Sequence, residues 1–422
     1  MRRAAQCLRR SNYLEPTEDT VGAMLMYLAC EHPYAWQYGA FGASVVLGLV
    51  TRSALRLGYH RDPSHYPNMS IFEGEIRRRT WWFLFQLDQL LAVKSGLPRL
   101  IDRGKTDTTL PQNLLDEDLD PAMLSLPTPR SMDQPTPVSF MNHKAALLEV
   151  MGSMSSAMSH EDVLQLDTIL SDTATQRPAW LNTQNVLGDV PAVVLVSAVE
   201  VDLIEQSARM QLHRRFLLPA HNDERYAFSR QRCIESAERA IYLQSLLIQD
   251  HRGQVGEAKH NWRFIALVGH DFLTAAMLLC LDLDHALKSK SLFTPGLEHL
   301  DPSEWQRREE LIRQARDMWS AIGVYDDSGQ QAANILTVLL RRFEAARSSS
   351  QEGPDVEGMQ SHNIETSFPQ PQGLDAGGYT IWPEMEDMLQ FQPMLDGSQI
   401  NMDWESWASG FAASTNDFGI DL

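Results

Sequence analysis

The sequence predicts an all-α protein: a multi-helix body with long loops and a disordered C-terminal tail. Three observations predict it. Apolar residues recur at three- and four-residue spacing over most of residues 1–347, the pattern of one-sided helices. Runs rich in Val, Ile and Thr are short, and Gly and Pro fall mainly between the periodic segments. From Ser348 to Leu422 the chain turns to Ser, Gln, Gly, Pro and acids with no Lys or Arg, a composition too polar to bury a core of its own.

Residues 20–30 and 40–57 give the first two helices. The second sets Val46, Leu49, Val50 and Leu57 on one side, and Gly58 follows as a left-handed stop. Pro63 and Pro67 forbid continuation. Ser70 with Glu73 three residues on is a capping box that opens a helix from Ile71 to about Ser95. On it Phe72, Ile76, Phe83, Leu87 and Leu90 make one expected buried stripe, and Trp81, Trp82, Leu84 and Phe85 widen the apolar surface. This helix is expected at the centre of the fold, ended by Gly96 and Pro98. Six prolines among acids and Thr mark residues 102–140 as a long extended loop. Helical periodicity returns at 141–170, 191–216, 229–249, 261–288, 303–323 and 329–346, eight or nine helices in all.

Thirty-six Lys and Arg against 55 Asp and Glu give a net charge of −19, but residues 351–422 hold 13 of the acids and no Lys or Arg, leaving the body at −6. Binding to nucleic acid depends on basic groups that neutralise phosphates, so this chain by itself is expected to bind DNA poorly. No stretch approaches the ~20 apolar residues that span a bilayer, and the basic start runs into Ser11-Asn12 instead of a signal-peptide core. Four scattered cysteines, Cys7, Cys30, Cys233 and Cys280, build neither a disulfide framework nor a zinc spacing. They read as reduced thiols in cytosol or nucleus.

Motifs for catalysis are missing. His60 and His65 lack an obvious third ligand. Asn222-Asp223 begins like a diphosphate-metal motif, but Tyr226 and Arg230 stand where Ser and Glu would be needed. There is no nucleophile elbow, phosphate loop or dinucleotide turn. No catalytic or metal-binding residue is assigned. What stands out is Arg77-Arg78-Arg79-Thr80-Trp81-Trp82, where successive arginines point about 100° apart on a helix. Ion pairing with Glu73 or Glu75 and packing on tryptophan faces is the plain reading; phosphate or ligand binding is the other. In the tail, Trp382, Phe391, Trp404, Trp407, Phe411 and Phe418 sit among acids, the alternation of activation segments that offer aromatics to a partner groove.

The strings Ala54-Leu55-Arg56-Leu57-Gly58-Tyr59-His60-Arg61-Asp62 and Phe72-Glu73-Gly74-Glu75-Ile76-Arg77-Arg78-Arg79-Thr80-Trp81-Trp82, then Asp88, Gly96-Leu97-Pro98, Ile101 and Thr109-Leu110-Pro111, resemble the middle homology region of fungal binuclear zinc-cluster transcription factors. The resemblance is strongest over 40–118. It implies an all-helical regulatory domain over 1–347 followed by an activation segment over 348–422. It also implies a nuclear, non-enzymatic transcription regulator controlling a metabolic or biosynthetic gene set. The motif positions Gly58, His60, Arg61, Asp62, Arg77, Arg78, Arg79, Trp81, Trp82, Asp88, Gly96 and Pro98 would be regulatory or structural. Transcription machinery or coactivators would bind through the tail, with a homo- or heterodimer as a further implied state. The family's six-cysteine, two-zinc DNA-binding cluster is not in this sequence. Contact with DNA is therefore expected only indirectly or through a missing N-terminal domain, and zinc only with such a cluster; no other cofactor is expected. A small-molecule-sensing helical module acting through a partner, and a helical enzyme, stay open as alternatives.

Overall fold

The computed structural model describes residues 15–31, 40–95, 97–155, 157–185, 190–249, 258–291, 301–322 and 327–351. Gly96 and the tail residues Trp382, Phe391, Trp404, Trp407, Phe411 and Phe418 lie outside them. The described residues hold ten α-helices and no strand: α1 Glu18–Glu31, α2 Ala40–Arg56, α3 Ile71–Ser95, α4 Pro137–Gly152, α5 His160–Thr175, α6 Ala192–His213, α7 Ala227–Gln249, α8 Ala258–Ser291, α9 Pro302–Ile322 and α10 Asp327–Gln351. The all-α expectation holds. Two compact units divide between Leu278 and Leu279, inside α8.

The first unit is organised by α3. Its start is a reciprocal cap, Ser70 N–H to Glu73 Oε2 at 3.0 Å and Glu73 N–H to Ser70 Oγ at 3.2 Å, which satisfies two of the backbone donors a helix leaves open. Around it a single cluster gathers Val21, Leu25 and Leu28 of α1, Leu47, Val50 and Ala54 of α2, and Leu147 and Leu148 of α4. Leu170 of α5 and Val201, Ile204 and Ala208 of α6 close it. Trp81, Trp82, Leu84 and Phe85 of α3 are at most 1 % exposed, and burial of side chains this large contributes roughly 1.5–3 kcal/mol each.

The buried face of α3 is only partly the stripe that the periodicity predicts: Leu87 and Leu90 pack, half-buried, against the core. Ile76 and Phe83 are 39 % and 37 % exposed, while Glu75, Arg77, Asp88 and Gln89 are buried. Glu75, Arg77 and Asp88 go inside because each finds a partner there, so hydropathy alone misplaces part of the face. A similar correction applies to α2, where Leu49 is 44 % exposed.

The single helix expected over 141–170 is two. Pro137 starts α4 at a position where its missing N–H costs nothing, with Thr136 accepting from Ser139 N–H at 2.9 Å. The helix stops at Gly152, and Ser159 with Asp162 forms a second capping box that opens α5. The extended loop accordingly ends at Thr136, four residues short of its expected limit at 140.

In the second unit, Trp305 of α9 meets Phe343 of α10 edge-on, with ring centroids 6.1 Å apart, over buried Ile312, Leu336 and Leu340. Arg308 of α9 bonds the fully buried Asp282 of α8 at 2.5 Å. Beside it the Cys280 thiol is pushed up by burial, with the Asp284 charge adding to the effect.

Candidate functional site: an arginine clasp on the central helix

The three arginines of α3 diverge as helical geometry requires, and each binds a different segment. Arg77 donates to Glu18 of α1 at 2.8 Å and to the Leu57 carbonyl at 2.5 Å. Its guanidinium lies 4.3 Å from the centre of the Tyr59 ring, a cation over an aromatic face. Burial pushes the Tyr59 phenol up to about 12, Glu18 adding to the rise and Arg77 opposing it.

Arg78 grips Asp62 through two bonds of 3.0 and 2.8 Å. Asp62, 4 % exposed, also accepts from Ser64 N–H at 3.0 Å, Thr109 N–H at 3.1 Å and Thr109 Oγ1 at 2.8 Å. Burial alone would raise its carboxyl. The hydrogen bonds from Arg78, Ser64 and Thr109 outweigh it and hold the group far below the usual carboxylate range.

Arg79 reaches the opposite loop, donating to the Leu114 carbonyl at 2.7 Å and Asp116 at 2.6 Å. Glu75, fully buried, lies 3.4 Å from Arg79 and 3.8 Å from Arg78 and accepts from Gln112 N–H at 3.1 Å. Burial is its dominant influence and pushes the carboxyl up against the pull of both arginines.

Gly58 has φ +78 and a Cβ there would run into the Tyr66 hydroxyl, so only glycine fits this turn. At Gly74 a Cβ would come within 3.0 Å of Pro63 Cβ, which lets the 57–70 loop lie close on α3. His60 stands beside Trp81, with ring centroids 6.4 Å apart. Arg61 pairs with Asp107 at 3.1 Å on the surface. Trp82 Nε1–H donates to the Thr109 carbonyl at 2.8 Å. Asp88 lies further along α3 in a separate cap, accepting from Leu100 N–H at 3.0 Å and Ile101 N–H at 2.9 Å, with burial raising its carboxyl. Pro98 is exposed.

A second polar cluster, which the sequence reading missed, joins α5, α6 and α7. Asp167 lies 3.5 Å from Arg209 and 3.2 Å from Arg232, and Asp202 accepts from Arg239 at 2.7 Å. Glu205 bonds both Arg177 and Arg209. Both aspartates are held below the ordinary range, their arginine and hydroxyl or histidine partners outweighing burial. Ser229 Oγ sits 2.9 Å from His160 Nε2 and 3.0 Å from His213 Nδ1, and His213 Nε2 lies 3.4 Å from Asp167. These are the residue types of a nucleophile, base and acid, yet Ser229 and His213 are 0 % exposed and sealed from any substrate. The i, i+4 pair Glu205/Arg209 was the one local signal.

No group of three or more His, Cys, Asp or Glu placed to hold a metal occurs among the described residues. No helix among them is long and apolar enough to cross a membrane.

Fold and site together define an all-helical module whose central helix is clasped to its flanking loops by arginines. Residues 16–187, which contain the whole clasp, match the family described as fungal specific transcription factor domain. That stretch of the chain carries the family's domain. The chain is 30% identical over 370 residues to the Zn(2)-C6 fungal-type transcription factor mpsB of Macrophomina phaseolina (strain MS6), covering 84% of this chain and 49% of that protein. It is 31% identical over 350 residues to the Zn(2)-C6 fungal-type transcription factor pigI of Monascus ruber, covering 80% and 42%. It is 27% identical over 403 residues to the equisetin cluster transcription factor eqxF of Fusarium heterosporum, covering 93% and 56%. The chain spans about half the length of these relatives. No solved structure matches it.

Proposed function

We propose that this chain is the regulatory portion of a fungal transcription regulator that controls a biosynthetic gene set, acting in the nucleus by recruitment and not by catalysis. The observation that carries the reading is the family match over 16–187, within which the arginine clasp fixes the central helix. The cluster named in a relative such as the equisetin factor supports biosynthetic genes as the target class. The acidic-aromatic residues 348–422 are the coactivator-recruiting part. Zinc-dependent contact with DNA belongs to a six-cysteine module, which these 422 residues with their four cysteines do not contain; a partner chain in a homo- or heterodimer is a second route to DNA.

Residues 352–422 joined to an unrelated DNA-binding domain should switch on a reporter, and replacing Trp382, Trp404 and Trp407 with Ala should abolish that activity. A silent reporter from the intact tail fusion would remove the recruiting half of the proposal.

A further inference from the structure

The sequence carries the same tripeptide twice, Pro127-Thr128-Pro129 and Pro135-Thr136-Pro137, and the structure puts the two threonines in opposite circumstances. Thr136 is 6 % exposed and caps α4, its hydroxyl donating to Asn113 Oδ1 and accepting from Ser139 N–H at 2.9 Å. Thr128 is exposed. No hydrogen bond joins residues 124–129 to any other described residue, and Leu124 near the tip is 92 % exposed. The flanking prolines have no N–H to give, and Pro129 holds Thr128 extended.

The excursion is pinned on both sides. Leu115 N–H donates to Asp118 at 2.8 Å. Arg130 N–H donates to the Asn113 carbonyl at 3.0 Å, and Asn113 Nδ2 donates to the Ser131 carbonyl at 2.8 Å. A charged tie closes the neck, where Arg130 forks onto both carboxylate oxygens of Asp118.

We propose that Thr128 is a phosphorylation site for a proline-directed Ser/Thr protein kinase, and that the phosphate takes Arg130 away from Asp118. Such a kinase takes its substrate as an extended segment with a free hydroxyl, and it closes over the next residue, where a buried N–H would go unpaired and proline has none. Thr128 meets each demand. Thr136 shares the proline, but its hydroxyl is in use and its backbone enters a helix. A further Thr-Pro pair, Thr294-Pro295, lies outside the described residues. In the transfer the bond from the γ-phosphorus of ATP to the bridging oxygen breaks and a bond to Thr128 Oγ1 forms. The hydroxyl proton passes to the catalytic Asp of the kinase, and ADP leaves.

The consequence follows from charge. A phosphate adds about −1.5 to −2 with three strong acceptor oxygens, on a residue about 7 Å from Arg130 along an extended chain. Residues 116–120 hold Asp116, Glu117, Asp118 and Asp120 with no base, so the new charge competes for Arg130 and repels that stretch at once. Asp118 loses its partner. The same stretch is what Arg79 holds, through the Leu114 carbonyl at 2.7 Å and Asp116 at 2.6 Å, so the modification loosens the segment at one arm of the clasp. None of this depends on the chain regulating transcription, and the test reads the chain alone.

The purified full chain is treated with a mitogen-activated protein kinase, Mg²⁺ and ATP, and phosphate is mapped by mass spectrometry. Thr128 should carry at least about five-fold more phosphate than Thr136, and Thr128→Ala should remove most of the incorporation. In the phosphorylated chain, amide hydrogen exchange over residues 113–118 should quicken at least about three-fold. Arg130→Gln should bring the same quickening without phosphate, and phosphorylating that variant should add little. Circular dichroism of each variant checks that the helices persist. The proposal is overturned by phosphate chiefly on Thr136, Thr294 or serines, by phosphorylated Thr128 with unchanged exchange over 113–118, or by an equal further quickening in Arg130→Gln.

Discussion

Asp62 is the common acceptor for Arg78 of α3 at 2.8 and 3.0 Å and for Thr109 of the following loop at 2.8 and 3.1 Å. One carboxylate thus ties three segments together. Removing one member of a buried pair strands the other, at a cost of about 3–5 kcal/mol. Asp62→Ala should lower the unfolding free energy of the first unit by that amount in urea titrations. Arg78→Lys keeps the charge but loses the two-point fork, so it should lie between wild type and Arg78→Ala. An unmoved midpoint for Asp62→Ala would show that the joint lies elsewhere.

The same carboxylate sets an acid limit. Its folded pKa lies below the unfolded value of about 3.9, so the folded state binds fewer protons. The stability it contributes is present above the unfolded pKa and is lost as pH falls below about 4. Asp62→Asn should be less stable at pH 7 yet lose less stability between pH 5 and pH 3, as followed by circular dichroism. Parallel acid limbs in the two proteins would contradict this.

His143 acts in a higher window. It is 7 % exposed, its Nε2 has no partner, and burial with help from Arg177 pushes its pKa down to about 4. Folding therefore favours the neutral ring, and stability falls as pH drops from about 6.5 toward 4, by up to about 1.4 kcal/mol per pH unit. His143→Gln should lose about 2 kcal/mol less than wild type between pH 7 and pH 5. Equal losses by urea titration at the two pH values would rule out the assignment.

Two glycines should respond in opposite senses to alanine. At Gly58 the positive φ and the Tyr66 hydroxyl oppose a side chain, and Gly58→Ala should cost on the order of 1–3 kcal/mol. At Gly48 nothing lies within 4 Å, and Gly48→Ala should stabilise by about 0.5–1 kcal/mol. Thermal melts of both variants check the contrast, and a shared direction would refute it.

Trp82, 1 % exposed with its indole N–H bonded to the Thr109 carbonyl, anchors the core. Trp82→Ala should cost about 3–5 kcal/mol and leave little soluble protein on expression. Wild-type yield and melting would place the core away from α3.

Much of the helical layout could be read locally. The Ser70/Glu73 box and the Gly58 stop are short-range signals, and α3 runs from Ile71 to Ser95 as they imply. Glu75 was legible as an arginine partner because i+3 and i+4 neighbours share a helix face. The buried face of α3 was legible only in part. Trp82, Glu75 and Arg79 bond Thr109, Gln112 and Leu114, about 27 to 37 positions away, and Arg77 reaches back to Glu18; hydropathy cannot register such partners. The Asp167 and Asp202 cluster was hidden for the same reason, its arginines coming from α6, α7 and, for Arg177, the stretch after α5. The split between α4 and α5 was missed because apolar periodicity resumes in near register after Gly152, although the Ser159/Asp162 box marks the new start.

Three main-chain oxygens of the proline-rich loop are held by helix side chains: Thr109 by Trp82, Pro111 by Asn142 and Leu114 by Arg79. Every residue type supplies a carbonyl, so at Pro111 and Leu114 the identity of the side chain matters less than the count of peptide units between the anchor points, while Thr109 also donates its hydroxyl to Asp62. A one-residue deletion between 109 and 114 would therefore do more harm than replacement of Pro111 or Leu114.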